Sequence, residues 1–170
     1  MNKTFTLRLG VTLMFMAALI LGQARTSELQ LTIQMDKSSY KAGEPILCRV
    51  VLRNVSDTHL AVNNRMLVNV PTGAHELYVR LTGPSGKTVP FVKKVRASLE
   101  GGPFVPLLPN HIAGLDYDLA KDHELTQAGT YTVRVYYENH SPGPAGIDLP
   151  VWQGTLESNQ LTFNLQPARR

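Results

Sequence analysis

The sequence predicts an all-β protein, an antiparallel β-sandwich of seven to nine strands, on three observations. Apolar residues recur with period two through most of the chain, as the buried face of a half-covered strand requires. Clusters of Gly, Pro, Asn, Asp and Ser break these runs about every 8–12 residues, the spacing of short strands joined by tight connections. Beyond the N-terminal stretch, no window keeps an apolar stripe at helical spacing.

Taken in order, Leu29, Leu31, Ile33 and Met35 alternate with Gln30, Thr32 and Gln34, which predicts a first strand. Residues 37–45 carry turn chemistry. A second strand then sets Ile46, Cys48, Val50 and Leu52 on one face and Leu47, Arg49, Val51 and Arg53 on the other. The arginines mark the wet face, so Cys48 points into the core. As the sole cysteine it excludes an internal disulfide. Leu60 to Asn69 holds one or two short strands, and Leu77, Val79 and Leu81 form another. A turn at Gly83 to Gly86 leads into a hairpin partner over Thr88 to Val95. Residues 97–110 read as a long loop. Ile112, Leu115, Tyr117 and Leu119 mark a further strand, Tyr131, Val133, Val135 and Tyr137 a clear one. A second long loop spans Asn139 to Pro150, and Leu161, Phe163 and Leu165 close the set.

Residues 1–24 have the three parts of a cleavable export signal: Lys3 and Arg8, the apolar run Val11 to Leu21, and small residues at Gly22 and Ala24. The apolar stretch of about 14 residues is short of the roughly 20 that span a bilayer, so no stable membrane anchor is expected after cleavage. The expected localisation is periplasmic or extracellular. Residues 25–170 then form a single domain, long enough to bury a core without crosslinks. Loss of Lys3 and Arg8 takes the basic count from 17 to 15 against 13 acidic residues, so the formal charge falls from +4 to +2. So mild a surplus does not point to nucleic acid.

Gln127-Ala-Gly-Thr-Tyr131-Thr-Val133 resembles the entry to strand F of an immunoglobulin-like sandwich, with Val133 where the cysteine would stand and Tyr131 at the tyrosine corner. The resemblance implies that Cys48 and Val133 occupy the two half-cystine places, and it sets the fold class as immunoglobulin-like. Asp36-Lys-Ser-Ser-Tyr-Lys-Ala-Gly-Glu-Pro-Ile46 and Leu52 to Asp57 resemble macroglobulin-type sandwiches. Gly83-Pro-Ser-Gly-Lys-Thr-Val-Pro-Phe91, Lys94 to Arg96, Asp118-Leu119 and Leu125 to Val133 are similar to the non-catalytic sandwich of deuterolysin-like and peptidyl-lysine metalloendopeptidases. Bacterial proteinase inhibitors share a comparable sandwich. Trp152 to Phe163 looks like the closing strand of exported bacterial proteins of this type. These motifs are turn residues and core apolars, which report fold rather than function. The endopeptidases add a His-Glu-x-x-His zinc helix, and this sequence contains no such motif.

His59, His75, His111, His123 and His140 all lie more than four residues apart. No nucleophile elbow or phosphate-binding glycine loop occurs, and no cofactor is expected. Asp116, Asp118, Asp122, His123 and Glu124 form the densest polar cluster, read as a solvated turn. Asn54-Val55-Ser56 matches a glycosylation acceptor, which is a chance match in a protein of bacterial type. Function is therefore expected on the long loops. Ile147, Leu149, Val151 and Trp152 stand between prolines, which stiffen the segment and lower the entropy cost of binding. They are the candidate binding loop; the same apolar residues would equally serve to cover one end of the core.

The expected function is an exported, non-enzymatic binding or accessory domain engaging a protein or cell-envelope component, with protease inhibition as the version that the resemblance implies. The alternative is a hydrolase or metal-dependent enzyme assembled from scattered loop residues. Mass spectrometry of the native protein should find Arg25 at the N-terminus, and recovery of intact Met1 in a membrane fraction would refute cleavage.

Overall fold

The computed structural model describes residues 27–69, 76–92 and 103–167. The export signal at 1–24 lies outside the described residues. Among them are ten strands and one single-turn helix: β1 Leu29–Met35, β2 Ser39–Lys41, β3 Leu47–Asn54, β4 Leu60–Asn63, β5 Leu77–Thr82, β6 Phe104–Leu107, β7 Ile112–Asp118, α1 Leu119–Asp122, β8 Gly129–Asn139, β9 Gly154–Glu157 and β10 Leu161–Gln166. One sheet has the order β1-β3-β7. The larger sheet has the order β2-β10-β8-β5, with β9 also paired to β8, and β4 pairs with β6 separately.

All these pairings are antiparallel except that of β2 with β10, which is parallel. That pairing departs from the purely antiparallel expectation. It arises because the chain leaves β1 in one sheet and lays Ser39, Tyr40 and Lys41 beside Asn164, Leu165 and Gln166 of the other.

The alternation does what it predicts in β1, β3, β5 and β8. Leu29, Leu31 and Ile33, then Cys48, Val50 and Leu52, face Leu77, Val79, Leu81, Tyr131, Val133, Val135 and Tyr137 in one buried cluster. Cys48 is fully buried, and burial pushes its thiol up to about 12. The Tyr131 ring stacks on Phe163 with centroids 5.3 Å apart, and its hydroxyl donates to the Gln127 carbonyl at 2.6 Å. The polar end of the buried phenol is thereby paired. At Gly114, β7 approaches β3 so closely that a Cβ would lie 2.1 Å from the Val50 carbonyl oxygen, so only glycine fits.

Outer strands are sealed by asparagine amides. Asn159 accepts from the Ile33 N–H at 2.8 Å and donates to the Ile33 carbonyl at 3.1 Å. Asn69 does the same for Val79, at 2.6 and 3.1 Å. Each side chain stands in for one residue of a neighbouring strand and satisfies main-chain groups that would otherwise be open to pairing.

Several expectations are corrected. Ten strands exceed the seven to nine predicted, because β2 lies within the expected turn at 37–45, β6 within the expected loop at 97–110, and β9 in a stretch with no alternation of its own. The strand expected over Thr88 to Val95 is reduced to bridges at Thr88 and Phe91, with residues beyond Val92 outside the described set. In β7 the inward positions are Ala113, Leu115 and Tyr117, so Ile112 points outward at 58% exposure. Ile112 and Leu115 do not share a phase, so the apolar pattern left the register of this strand open; Leu115 and Tyr117 are on the inner side with the small Ala113.

Tyr131→Phe should cost about 0.5–1.5 kcal/mol for the lost hydrogen bond. Tyr131→Ala should cost about 3–5 kcal/mol, as large aromatic truncations do. Denaturant melts that leave both variants at the parent's midpoint would contradict this packing.

Candidate functional site

Residues 139–152 leave the end of β8 and return as a strap rather than a free loop. Asn139 is buried at its base, and its side-chain amide donates to the carbonyls of Trp152 at 2.6 Å and Ser141 at 3.1 Å. The strap is also tied to β4: the Ala61 N–H donates to the Pro150 carbonyl at 2.8 Å, and the Trp152 N–H to the Ala61 carbonyl at 3.0 Å. With three prolines and these bonds, little conformational freedom remains to be lost on binding.

The four predicted residues are thereby divided. Trp152 is only 8% exposed, and its ring lies 5.6 Å from that of Tyr137, so it covers one end of the core. Ile147 and Val151 are half-buried and close around Gly143, where a Cβ would lie 3.0 Å from a Val151 methyl and 3.3 Å from the end of Ile147. Gly143 has φ +82°, a second reason for glycine there. Leu149 is half-buried.

Val151 and Trp152 also line a cleft of about 710 Å³, together with Ser27, Glu28 and the run Gln153 to Leu156. Ile147 and Leu149 do not line it. One wall is the pair of residues that leads into β1 and the other is β9. The Ser158 N–H donates to the Val135 carbonyl at 2.9 Å, which fixes the phase of the β8–β9 ladder. By the alternation of antiparallel pairs, Leu156 and Gly154 then bond to β8, and the N–H and C=O of Thr155 point away from it.

Beneath this end of the molecule lies a polar core. Buried Glu76 accepts from Arg65 Nε at 2.9 Å and from a terminal guanidinium nitrogen at 2.5 Å. It also accepts from Asn63 Nδ2 at 3.2 Å and from the Leu67 N–H at 3.0 Å. The Tyr137 hydroxyl donates to the Asn63 carbonyl at 3.0 Å, while burial pushes that phenol upward from its ordinary range. With so many bonds converging on one carboxylate, Met66 is held at φ 47°, a backbone region unfavourable for a side chain of its kind.

The acidic cluster expected to be a solvated turn is partly buried instead. Asp116 is exposed and pairs with Arg49 at 2.8 Å, which holds its carboxyl below the ordinary range. Asp118 caps α1 by accepting from the Ala120 N–H, and accepts also from the Ile46 N–H, both at 3.0 Å. Asp122 and His123 are inside, at 4% and 3% exposure. The one-turn helix, absent from the sequence reading, folds them inward. His123 lies edge-on to Phe91 and Tyr117, and its Nδ1 has no hydrogen-bond partner among the described residues. Burial holds its pKa below the ordinary value, only partly offset by the Leu119 carbonyl and the Asp122 charge. Among the described residues no three His, Cys, Asp or Glu side chains gather as a metal site.

Sequence reasoning missed Asn54, Asn69, Asn139, Asn159 and Glu76, all of which position this end of the molecule or its edges. Asn54 is fully buried, donating to the Thr58 and Leu107 carbonyls at 2.7 and 2.8 Å, so its amide is committed to structure. The one available signal was the Asn54-x-Ser56 spacing, which here marks a turn: Asn54 Oδ1 accepts from the Ser56 N–H at 2.9 Å. Comparison with protein-family models and with curated protein sequences finds no match.

Because the folded pKa of His123 lies below its unfolded value, the unfolded chain takes up a proton first as pH falls. Stability should be complete above about pH 6.5 and decline below it. His123→Phe, which keeps an aromatic ring against Phe91 and Tyr117, should flatten the slope between about pH 6.5 and 5. Urea melts across that range check this, and an unchanged slope would contradict it.

Proposed function

We propose that the chain is an exported, non-enzymatic binding domain of immunoglobulin-like type that engages another protein of the cell envelope through the cleft between Ser27–Glu28 and Val151–Leu156. The observation that carries this reading is the pinned strap, whose Val151 and Trp152 line a cleft flanked by outward main-chain groups at Thr155. Val151 and Trp152 beside a strand edge directed away from β8 suit an extended polypeptide, which gains main-chain bonds from the edge and side-chain contacts from these two residues. The N-terminal sequence of residues 1–24 supports export. The immunoglobulin-like assignment rests on three strands, β1-β3-β7, facing β2-β10-β8-β5. The first stretch of chain is shared between both sheets, and Tyr131 bonds back to Gln127.

A photo-crosslinking residue at exposed Gln153 tests the proposal in intact cells. One envelope protein should be captured in a saturable way. Thr155→Pro removes an N–H directed away from β8 and should abolish capture while leaving the melting midpoint unchanged. Absence of a captured protein, or capture indifferent to Thr155→Pro, would overturn the cleft as the site.

A further inference from the structure

We propose a second binding site, for a carboxylate of an acidic polypeptide, on the outer face of the larger sheet at Arg80. Three cross-strand pairs stand there on the side opposite the core: Tyr78 with Tyr136, Arg80 with Arg134, and Thr82 with Thr132. Their neighbours Leu77, Val79, Leu81, Val133, Val135 and Tyr137 are all buried, so the phase of this face is unambiguous.

Like charges placed directly opposite repel. The Arg134 side chain is answered by Glu157, and it donates to Gln160 at 3.0 Å. Arg80 has no carboxylate beside it among the described residues. Its guanidinium carbon lies 5.2 Å from the Tyr136 ring centroid and 6.0 Å from that of Tyr78. A guanidinium resting on ring faces keeps its in-plane N–H groups free and already oriented. That fork matches a carboxylate in a two-point bond.

The surroundings narrow the ligand. Arg80, Thr82, Thr132, Arg134, Tyr136 and Gln160 line a hollow of about 100 Å³, room for a carboxylate group and little more. Arg80 and Arg134 against Glu157 leave one net positive charge, which suits a monoanion better than a doubly charged phosphate. A flat face of tyrosine and arginine is the composition that anchors protein partners. Asn69 and the Leu67 and Asn69 main chain occupy the outer edge of β5, so the partner meets this face through side chains rather than by adding a strand.

The site is separate from the cleft, and its test is independent of it. The mature protein is titrated with a synthetic hexaglutamate peptide at low ionic strength and followed by amide NMR and calorimetry. Shifts should centre on residues 78–82 and 132–136. Arg80→Gln should weaken binding about tenfold or more, since bonds to charged groups are the strong ones. Arg80→Lys should restore only part of it, while Arg53→Gln, an exposed arginine on the other sheet, should leave it unchanged. Polygalacturonate and inorganic phosphate serve as the glycan and phosphate alternatives. Tighter binding of either than of hexaglutamate would overturn the assignment to a polypeptide. Shifts elsewhere, or an affinity indifferent to Arg80→Gln, would overturn the site itself. Crosslinking from Gln153 should persist in Arg80→Gln, so failure at one site is distinguishable from failure at the other.

Discussion

Val135 sits at the centre of β8 with no exposure, and its two main-chain groups are closed by a single residue. Its N–H donates to Ser158 Oγ and its carbonyl accepts from the Ser158 N–H, both at 2.9 Å. A buried amide left unpaired there would cost about 1–3 kcal/mol, so the chain is held at this point. The same point is where β9 gives way to β10 along one flank of β8. The next residue, Asn159, reaches the other sheet at Ile33. Two adjacent polar residues thus set the phase of β9, the start of β10 and the position of one sheet against the other. The stacking of Phe163 on Tyr131 and the wall of the cleft both depend on that registration.

What was legible in the sequence followed from solvent. β1, β3, β5 and β8 each bury one face against water on the other, so charge and apolarity alternate and declare the phase, down to the inward thiol of Cys48. β7 declared itself as a strand but not its phase, because its inner face begins with alanine, and a small residue carries little signal of burial. β2, β6 and β9 are three or four residues long, too short for a period to emerge. Their pairing is decided by strands far away in the chain, as Ser39 beside Asn164 illustrates.

The polar architecture was illegible for a different reason. An asparagine between strands reads as turn chemistry, and nothing local distinguishes one that bonds its own loop from one whose partner stands 126 residues away, as Asn159 and Ile33 do. Glu76 looks like a surface carboxylate until the fold brings Arg65, Asn63 and the Leu67 amide to it. Removing only one member of such a pair would strand a charge in a dry site, at about 3–5 kcal/mol. In the candidate loop Trp152 covers one end of the core, as one of the two sequence readings has it, and it also lines the cleft.

The amides of Asn69 and Asn159 have a consequence for how the molecule ages. Each carries a donor and an acceptor on one planar group, and hydrolysis to aspartate keeps the acceptors while deleting the donor. The carbonyl of Val79 or Ile33 then loses its cap and faces a carboxylate that repels it. One chemical event at a side chain thus reopens a length of sheet border, and the damaged molecule becomes a template for the strands of its neighbours.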